Sequence, residues 1–332
     1  MVSMFPIDYM HCICLGVVRK MLFIWKSGNR SVRLNEKYNL LEKKIKELGN
    51  CWPIEFNRKP RSLQYLDYWK ASELRQFILY VSPLLYDILP EHMFCNLMLL
   101  KYAVTILLNK DLNSFYNEYA NKLLISFVKN AIQIYGKEFC VYNVHSLIHL
   151  ASDAQKFESL NDISCFPFEN HLYFLKTSLR KSNHCLQQVL NRILEGRKPI
   201  HTGVYKKNIY VSEGSTENIK FLRKTCVNNT VWTIDSGNNC AFINDNDSTI
   251  LYIQSIFEKN NKIYFKGRHL QKIKPFLDYP TASDIIHLYE VSINSIEGDI
   301  VEYTHSAKDI KFKGLLLKMT ETYIVCPLNH FD

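Results

Sequence analysis

Apolar residues recur at helical spacing along most of the first 195 residues. In residues 11–26 they lie three or four positions apart, which places them on one helix face. A second amphipathic segment, 35–48, stops at Gly49, a residue type that often follows a last helical turn. The same period predicts helices near 66–81, 91–108, 114–135, 142–154, 169–180 and 186–194, with Pro83 and Pro90 between two of them. Residues 9–195 are therefore predicted to be almost entirely helical.

The period changes after Pro199. Short β-branched and aromatic runs occur at 248–257, 262–269, 285–291, 315–319 and 322–326, and Asn260-Asn261 and Thr320-Glu321 lie where hairpin turns are expected. Such strands predict a small antiparallel barrel or a two-layer sheet. Glycine and asparagine recur between residues 200 and 237, which favours a linker. The predicted organisation is a helical unit at 1–199, a linker at 200–237 and a β-domain at 238–332.

Composition is typical of a globular protein: 332 residues, 47% of them hydrophobic and 22% charged. The ten cysteines have irregular spacing and are expected to be reduced thiols. The first 25 residues are apolar but are interrupted by charged side chains, so we expect neither a signal sequence nor a transmembrane segment. The expected location is nuclear or cytoplasmic, not secreted.

The positive charge is concentrated in the first part of the chain. Residues 1–200 contain 26 Lys and Arg against 17 Asp and Glu, while residues 201–332 contain 15 of each. A basic surface attracts phosphate backbones because binding releases counterions. The alternative is a solvated basic face without a partner.

Several enzyme classes lack their signatures. The 11 glycines form neither a G-x-G-x-x-G nor a G-x-x-x-x-G-K pattern, and no nucleophilic triad is recognisable. Nucleotide-dependent enzymes of those kinds are therefore not expected.

Three segments carry a family resemblance. They are Asp8-Tyr9-Met10-His11 followed by Leu15-Gly16, the stretch 142–150 with His145 and His149, and Phe166-Pro167-Phe168-Glu169. In this order they resemble the transposases of CACTA (En/Spm)-type DNA transposons and related sequences in insect genomes. The resemblance extends over roughly the first 200 residues.

The resemblance implies an RNase H-like core with an Asp-Asp-Glu triad, in which Asp8 is the second aspartate and Glu169 the glutamate. These residues would bind two Mg²⁺ ions for DNA strand cleavage and transfer. The implied first aspartate should precede Asp8, yet residues 1–7 contain no acidic residue. The chain is thus expected to be the C-terminal portion of a transposase, incomplete as a catalyst on its own.

The expected fold class is α+β: a partial RNase H-like core with a large all-helical insertion, followed by a small antiparallel, barrel-like β-domain. The insertion is inferred because 161 residues separate Asp8 from Glu169. Each site residue has an alternative role. Asp8 is also a suitable helix N-cap, Glu169 a first-turn glutamate that favours the helix dipole, and His11 a candidate either for the same site or for the core.

Other candidate ligands are weaker patterns. His145 and His149 lie one helical turn apart and could bind Zn²⁺, with Cys12, Cys14 or Cys140 as conceivable further ligands, or they could be a structural pair. The basic loop with Arg58, Lys59 and Arg61 also resembles the insect sequences and could contact phosphates, or form salt bridges with neighbouring acids. Lys176, Arg180 and Lys181 follow Glu169 and could bind DNA or stabilise a helix C-terminus.

The sequence therefore predicts a transposon-derived, DNA-associated protein. The alternative is a non-enzymatic scaffold that keeps the fold and binds protein partners or a second copy through its helical or β part.

Overall fold

The computed structural model describes residues 4–196, 208–211, 216, 218–245, 249–292, 301–319 and 322–328. Residues 4–196 are helical and contain no strand, and the described residues beyond 208 form an antiparallel sheet. The expected α+β class is confirmed at this level. An RNase H-like core is not visible in the described residues, and residues 6–8, which precede the first helix, are an irregular segment rather than the end of a strand.

The helical unit begins with a π-helical segment, Met10–Val18, that continues into α1 (Arg19–Ser27). It continues with α2 (Glu36–Leu48), α3 (Ala71–Gln76), α4 (Glu91–Leu108), α5 (Lys110–Tyr135), α6 (Tyr142–Ser146), α7 (Leu150–Lys156), α8 (Phe166–Ser178) and α9 (Cys185–Leu194). Short 3₁₀ turns at Leu63–Tyr68, Ser82–Leu85, Lys137–Phe139 and Leu147–His149, and a π-helical turn at Phe77–Val81, connect them.

The predicted helix 66–81 is divided at Trp69 and Lys70. Both residues have extended backbone angles, and the Glu73 carboxylate accepts the Lys70 N–H at 2.8 Å. In a continuous helix the Lys70 N–H would donate to a backbone carbonyl of the preceding turn. Here it donates to the Glu73 side chain, and α3 therefore begins as a separate helix.

Helix α4 forms the centre of the helical unit and packs along α5. Its length and composition would allow it to cross a membrane, but 83% of its residues are buried inside the protein. That burial is typical of a core helix, whose apolar sides all contact other parts of the chain.

The described residues of the C-terminal part form eleven strands. They are β1 (Ile209–Tyr210), β2 (Ile219–Val227), β3 (Thr230–Thr233), β4 (Cys240–Ile243), β5 (Ile250–Lys259), β6 (Lys262–Leu270), β7 (Lys272–Pro275), β8 (Tyr289–Val291), β9 (Glu302–Ser306), β10 (Ile310–Lys318) and β11 (Tyr323–Pro327). The order is β1-β2-β5-β4-β10-β11-β8-β7, with β3 on β2 and with β6 and β9 branching from β5. Among the described residues these pairings do not close into a barrel.

The predicted linker is wrong where the structure describes it. Residues 219–227 and 230–233 form the β2–β3 hairpin, and β2 also pairs with β5. Asn228 and Asn229 both have positive φ, so they form the hairpin turn rather than a break in structure. The Asn260-Asn261 turn between β5 and β6 is confirmed, while Thr320-Glu321 lies outside the described residues.

The helical and β parts share one hydrophobic core. Leu315 and Leu317 of β10 and Ile324 of β11 belong to the same buried cluster as α4 and α5. All ten cysteines lie in the described part of the chain, and none forms a disulfide there.

Candidate functional site

The three segments that carry the family resemblance contact one another. The Cys165 N–H donates to the Asp8 carboxylate at 2.8 Å across 157 residues, and the Cys12 thiol donates to the Asn143 carbonyl at 3.3 Å. The Ile7 N–H donates to the Asp153 carboxylate at 2.8 Å. The fold thus gathers residues that are far apart in the chain into one site.

Gly16 shows how closely the first two segments approach. A Cβ atom placed on Gly16 would lie 2.5 Å from the Asn143 Nδ2 and 2.9 Å from its Cβ. Contacts this short leave no room for a larger residue. Close packing against Asn143 therefore requires glycine at position 16 of the Leu15-Gly16 pair.

The Asp8 carboxylate accepts four hydrogen bonds. Oδ1 accepts the N–H groups of Met10 at 3.2 Å and Cys165 at 2.8 Å, and Oδ2 accepts the His11 N–H at 2.9 Å and contacts the His11 Nδ1 at 2.5 Å. Burial raises the pKa of Asp8, but the N–H donors of Cys165 and His11 outweigh burial and lower the pKa below its usual value. Asp8 therefore caps the first helix and fastens it to the start of α8.

His11 and Cys165 complete a small cluster around Asp8. The possible ligand atoms of these three residues lie within 4.8 Å of one another, the one such group of three in the described part of the chain. The His11 side chain is 55% exposed, so the alternative of a core histidine is wrong. Burial, followed by the nearby Asp8 charge, raises the pKa of the Cys165 thiol.

These residues do not fit the pair of Mg²⁺ ions that the resemblance implies. A carboxylate has about four lone-pair positions, and those of Asp8 are all taken by donors. Magnesium prefers oxygen ligands in octahedral geometry, and a protonated thiol is a poor substitute. In this structure the Asp8 carboxylate accepts hydrogen bonds that hold two segments of the chain together.

Glu169 lies in the first turn of α8, one turn after Cys165, whose carbonyl accepts the Glu169 N–H at 2.9 Å. Its carboxylate is exposed and makes no hydrogen bond or ion pair with the residues that the structure describes. Asp153 is a third acid beside the Asp8 segment, but one of its oxygens already accepts the Ile7 N–H. Of the carboxylates of Asp8, Asp153 and Glu169, that of Glu169 thus accepts the fewest hydrogen bonds from the described residues.

Arg75 is a buried cation that sequence reasoning did not assign to the site. Its guanidinium lies 4.8 Å from the Phe166 ring centroid and 5.9 Å from that of Tyr9, and it donates to the Asn161 side chain at 3.1 Å. One arginine therefore contacts aromatic rings from both the Asp8 segment and the Glu169 segment. Its position within a helical apolar pattern gave no signal of this role.

His145 and His149 are exposed, with ring centroids 5.6 Å apart. Neither belongs to a group of three close metal-ligand side chains in the ranges that the structure describes. The thiol of Cys12, a conceivable partner, donates instead to the Asn143 carbonyl. The predicted Zn²⁺ site therefore has no third ligand there.

The predicted basic residues fall into two groups. Arg61 forms a bidentate ion pair with the fully buried Glu73 side chain at 2.6 and 2.8 Å, so it takes the salt-bridge alternative. The others are exposed and form no ion pair with described residues: Arg58, Lys59, Lys176, Arg180 and Lys181.

The turn between α8 and α9 has a fixed shape. The Gln188 side chain accepts the N–H groups of Arg180 at 2.8 Å and Lys181 at 3.2 Å, and donates to the carbonyls of Lys181 and Asn183. A single amide thus holds the basic turn against α9.

Comparison with known proteins gives a family match in the C-terminal part. A family model described as a domain of unknown function (DUF8592) matches residues 201–328. No curated protein and no solved structure matches the chain. The matched region contains all eleven strands, while the Asp8 cluster lies outside it.

Replacing Asp8 with alanine is expected to lower the free energy of unfolding by about 2 kcal/mol at pH 7, because the change removes a helix cap and a hydrogen bond between segments. The folded-state pKa of Asp8 is lowered, so its contribution is present above the unfolded-state pKa of about 3.9 and is lost as pH falls through the folded value. Urea denaturation at pH 7 and near pH 2 measures both.

The control is Asp67→Ala, since the Asp67 side chain is 60% exposed and its ion pair with Lys26, at 3.5 Å, lies at the surface, where such pairs contribute little. We expect this control to change stability by less than about 0.5 kcal/mol at either pH. An equal loss for Asp8→Ala at both pH values would contradict the role of the ionised carboxylate.

Proposed function

We propose that this chain is a DNA-associated protein derived from a DDE transposase of the CACTA type. The observation that supports this proposal is the contact between the motif segments. Asp8 hydrogen-bonds to Cys165, the residue before α8, and α8 presents Glu169 one turn later. A shared ancestral site explains why motifs that resemble one family meet across 157 residues.

The four donors on Asp8 support a catalytically incomplete chain. A metal ion could bind Asp8 only after displacing hydrogen bonds that also hold the fold together. The same observation favours the second candidate, a non-enzymatic scaffold that has kept the motif residues for their structural roles.

Exposed cations supply the proposed contact with DNA. Lys176, Arg180 and Lys181 surround the ordered turn after α8, and Arg58 and Lys59 project from another loop. Phosphate contacts by such side chains give affinity that is independent of sequence and sensitive to salt. A chromosomal DNA partner would place the protein in the nucleus.

The test is the salt dependence of duplex binding by the full chain, measured by fluorescence anisotropy. Wild-type affinity should fall steeply with salt. The triple variant Lys176→Ala/Arg180→Ala/Lys181→Ala should reduce the slope of log affinity against log salt by about 2 to 3, since each phosphate contact contributes about 0.9.

A matched control removes the same charge from the β part: Lys262→Ala/Lys308→Ala/Lys318→Ala, three exposed lysines. Its slope should equal that of the wild type. Binding that is absent, or weakened equally by both triples, would rule out the proposed DNA surface.

A plasmid-nicking assay tests the catalytic part of the proposal. We expect no nicking with Mg²⁺ or Mn²⁺ for the chain alone. Cleavage that disappears in Glu169→Ala would show an active site, and this variant is suitable because the Glu169 side chain is exposed and supports no other group.

A further inference from the structure

Strand β9 is held in the sheet by one neighbouring strand and by a pair of histidines. Among the strands that the structure describes, β9 pairs with β6 alone. The Nε2 atoms of His269 in β6 and His305 in β9 lie 2.7 Å apart, which is a hydrogen-bond distance. The two rings therefore join β9 to β6 in addition to the backbone hydrogen bonds.

The His269 ring has a defined position. The Tyr303 ring of β9 stacks on it, with the ring centroids 3.8 Å apart and an angle of 4° between the planes. His305 lies opposite Phe265 and His269 opposite Leu251, and both apolar residues belong to one buried cluster. Tyr303 and His305 both belong to β9, so this strand loses two side-chain contacts when the His269 ring moves away.

The bond between the two rings depends on their protonation. An imidazole nitrogen either carries a hydrogen or accepts one, so two Nε2 atoms can bond only when one of them is unprotonated. The bond survives one proton on the pair, because an imidazolium N–H can donate to the neutral ring. A second proton abolishes the bond and places two positive charges next to each other.

The surroundings of the pair oppose the second proton. Burial lowers the pKa of His269, and the charge of His305 lowers it further, while the charge of Asp245 acts in the opposite direction. The pair is therefore in the bonded state at neutral pH, and mild acid is the condition that can break it.

Other charged groups near the pair point away from it or lie at the surface. Successive side chains of a strand alternate between its two sides, so Lys266 and Arg268 of β6 lie on the side opposite the histidines. Lys266 forms an ion pair with Glu302 of β9. The turn after β9 adds Lys308 and Asp309, which are both exposed.

We propose that His269 and His305 form an acid-sensitive clasp that holds β9 on β6 at neutral pH and releases it at mildly acidic pH. Release uncovers N–H and C=O groups of β6, which another strand could then pair with. This histidine clasp lies in the β part of the chain and does not depend on DNA binding or on the Asp8 cluster.

Proton linkage gives the direction of the pH effect. A histidine in a released strand has a pKa of about 6.5, whereas the pKa of His269 in the paired strand is lowered, so the released strand binds more protons below about pH 6.5. The contribution of the clasp is therefore fully present above that pH and is lost as pH falls through the folded-state pKa of His269. Between pH 7.5 and 5.5 the equilibrium constant for release should rise about fivefold to tenfold.

The experiment is amide hydrogen exchange of the full chain at about pH 7.5 and pH 5.5, expressed as protection factors so that the intrinsic effect of pH is removed. Protection of residues 302–306 should fall about fivefold to tenfold at the lower pH. The β10–β11 ladder, at residues 314–318, is the internal control, and its protection should change by less than about twofold.

Three histidine variants separate the clasp from a general effect of acid. His269→Gln removes the ring whose pKa is lowered, so the change in protection of β9 should be less than about twofold. His305→Gln keeps a side chain that can bond to His269 but removes the second charge, and its response should be less than about half that of the wild type. His145→Gln changes an exposed histidine of the helical unit and should keep the full response.

Four results would overturn the proposal. The first is equal protection of β9 at both pH values, and the second is an equal loss in the β10–β11 ladder, which indicates general unfolding. A full response in His305→Gln would assign the effect to the burial of His269 alone. Protection of β9 that Zn²⁺ increases at pH 7.5, and that both His269→Gln and His305→Gln abolish, would assign the pair to a metal ion instead.

Discussion

Replacing Lys313 with methionine is expected to lower the free energy of unfolding by about 3 to 5 kcal/mol, because the change leaves a buried carboxylate without its cation. Lys313 is fully buried, and its ammonium donates to both carboxylate oxygens of Glu55 at 3.0 and 2.8 Å. It also donates to the Val231 carbonyl and the Asn238 side chain. Glu55 belongs to the helical unit, so the pair joins the two parts of the chain.

The ion pair persists at neutral pH. Burial lowers the pKa of Lys313 to about 8, and the Glu55 charge opposes that change. The ammonium is therefore largely protonated at pH 7. Glu55 also accepts the Val231 N–H at 3.0 Å, which fixes its carboxylate against β3.

Urea denaturation of Lys313→Met measures the loss. The control is Lys318→Met, which changes an exposed lysine of the same strand and should alter stability by less than about 0.5 kcal/mol. The double variant Glu55→Met/Lys313→Met should be destabilised by less than the sum of the single changes. A Lys313→Met protein as stable as the wild type would disprove the role assigned to the pair.

Replacing Gly237 with alanine is expected to destabilise the protein by about 3 kcal/mol. Gly237 has a φ of +84°, which favours glycine, and a Cβ there would lie 2.1 Å from the Cys51 carbonyl oxygen. Backbone must move to relieve that contact. The neighbouring Asn238 accepts the Ile54 N–H at 3.0 Å, so movement would also disturb the Glu55–Lys313 network.

Gly196 provides a matched control, because it also has a positive φ, +71°, but no atom lies within 4 Å of its added Cβ. Gly196→Ala should show the backbone strain alone, about 1 kcal/mol. The difference between the two melting curves measures the cost of the contact. If both variants lose the same stability, the close approach of residues 51 and 237 is not what requires glycine.

The periodicity of the apolar residues alone predicted most helices of the helical unit. The predicted helices 35–48 and 91–108 agree with α2 and α4, because an amphipathic stripe and the glycine or proline at its end depend on local residues. The β2–β3 hairpin was missed, since asparagine pairs occur in both loops and hairpin turns. Only the antiparallel pairing of β2 with β3 distinguishes the two.

The candidate site was predictable by its residues but not by its geometry. The sequence pointed to Asp8, His11 and Glu169 through their motif contexts. It could not show that a fourth donor, the Cys165 N–H, joins the local donors of Met10 and His11 on Asp8, because that contact depends on where the start of α8 lies in space. The bidentate ion pair of Arg61 with Glu73 likewise depends on the path of the loop that contains Arg61, which the sequence alone does not show.

By itself the sequence determined the helical first part, five of the eleven described strands of the second part and the excess of positive charge, since these depend on residue type and on neighbours a few positions away. Only the tertiary structure decided which charges are buried. Lys313 alternates with Phe312 as a solvent-facing lysine would, yet it is buried because Glu55, 258 residues away, lies opposite it. The apolar stripe of α9 is the converse case: its spacing is that of a packed helix, but no described element covers it, and tertiary packing alone determines that.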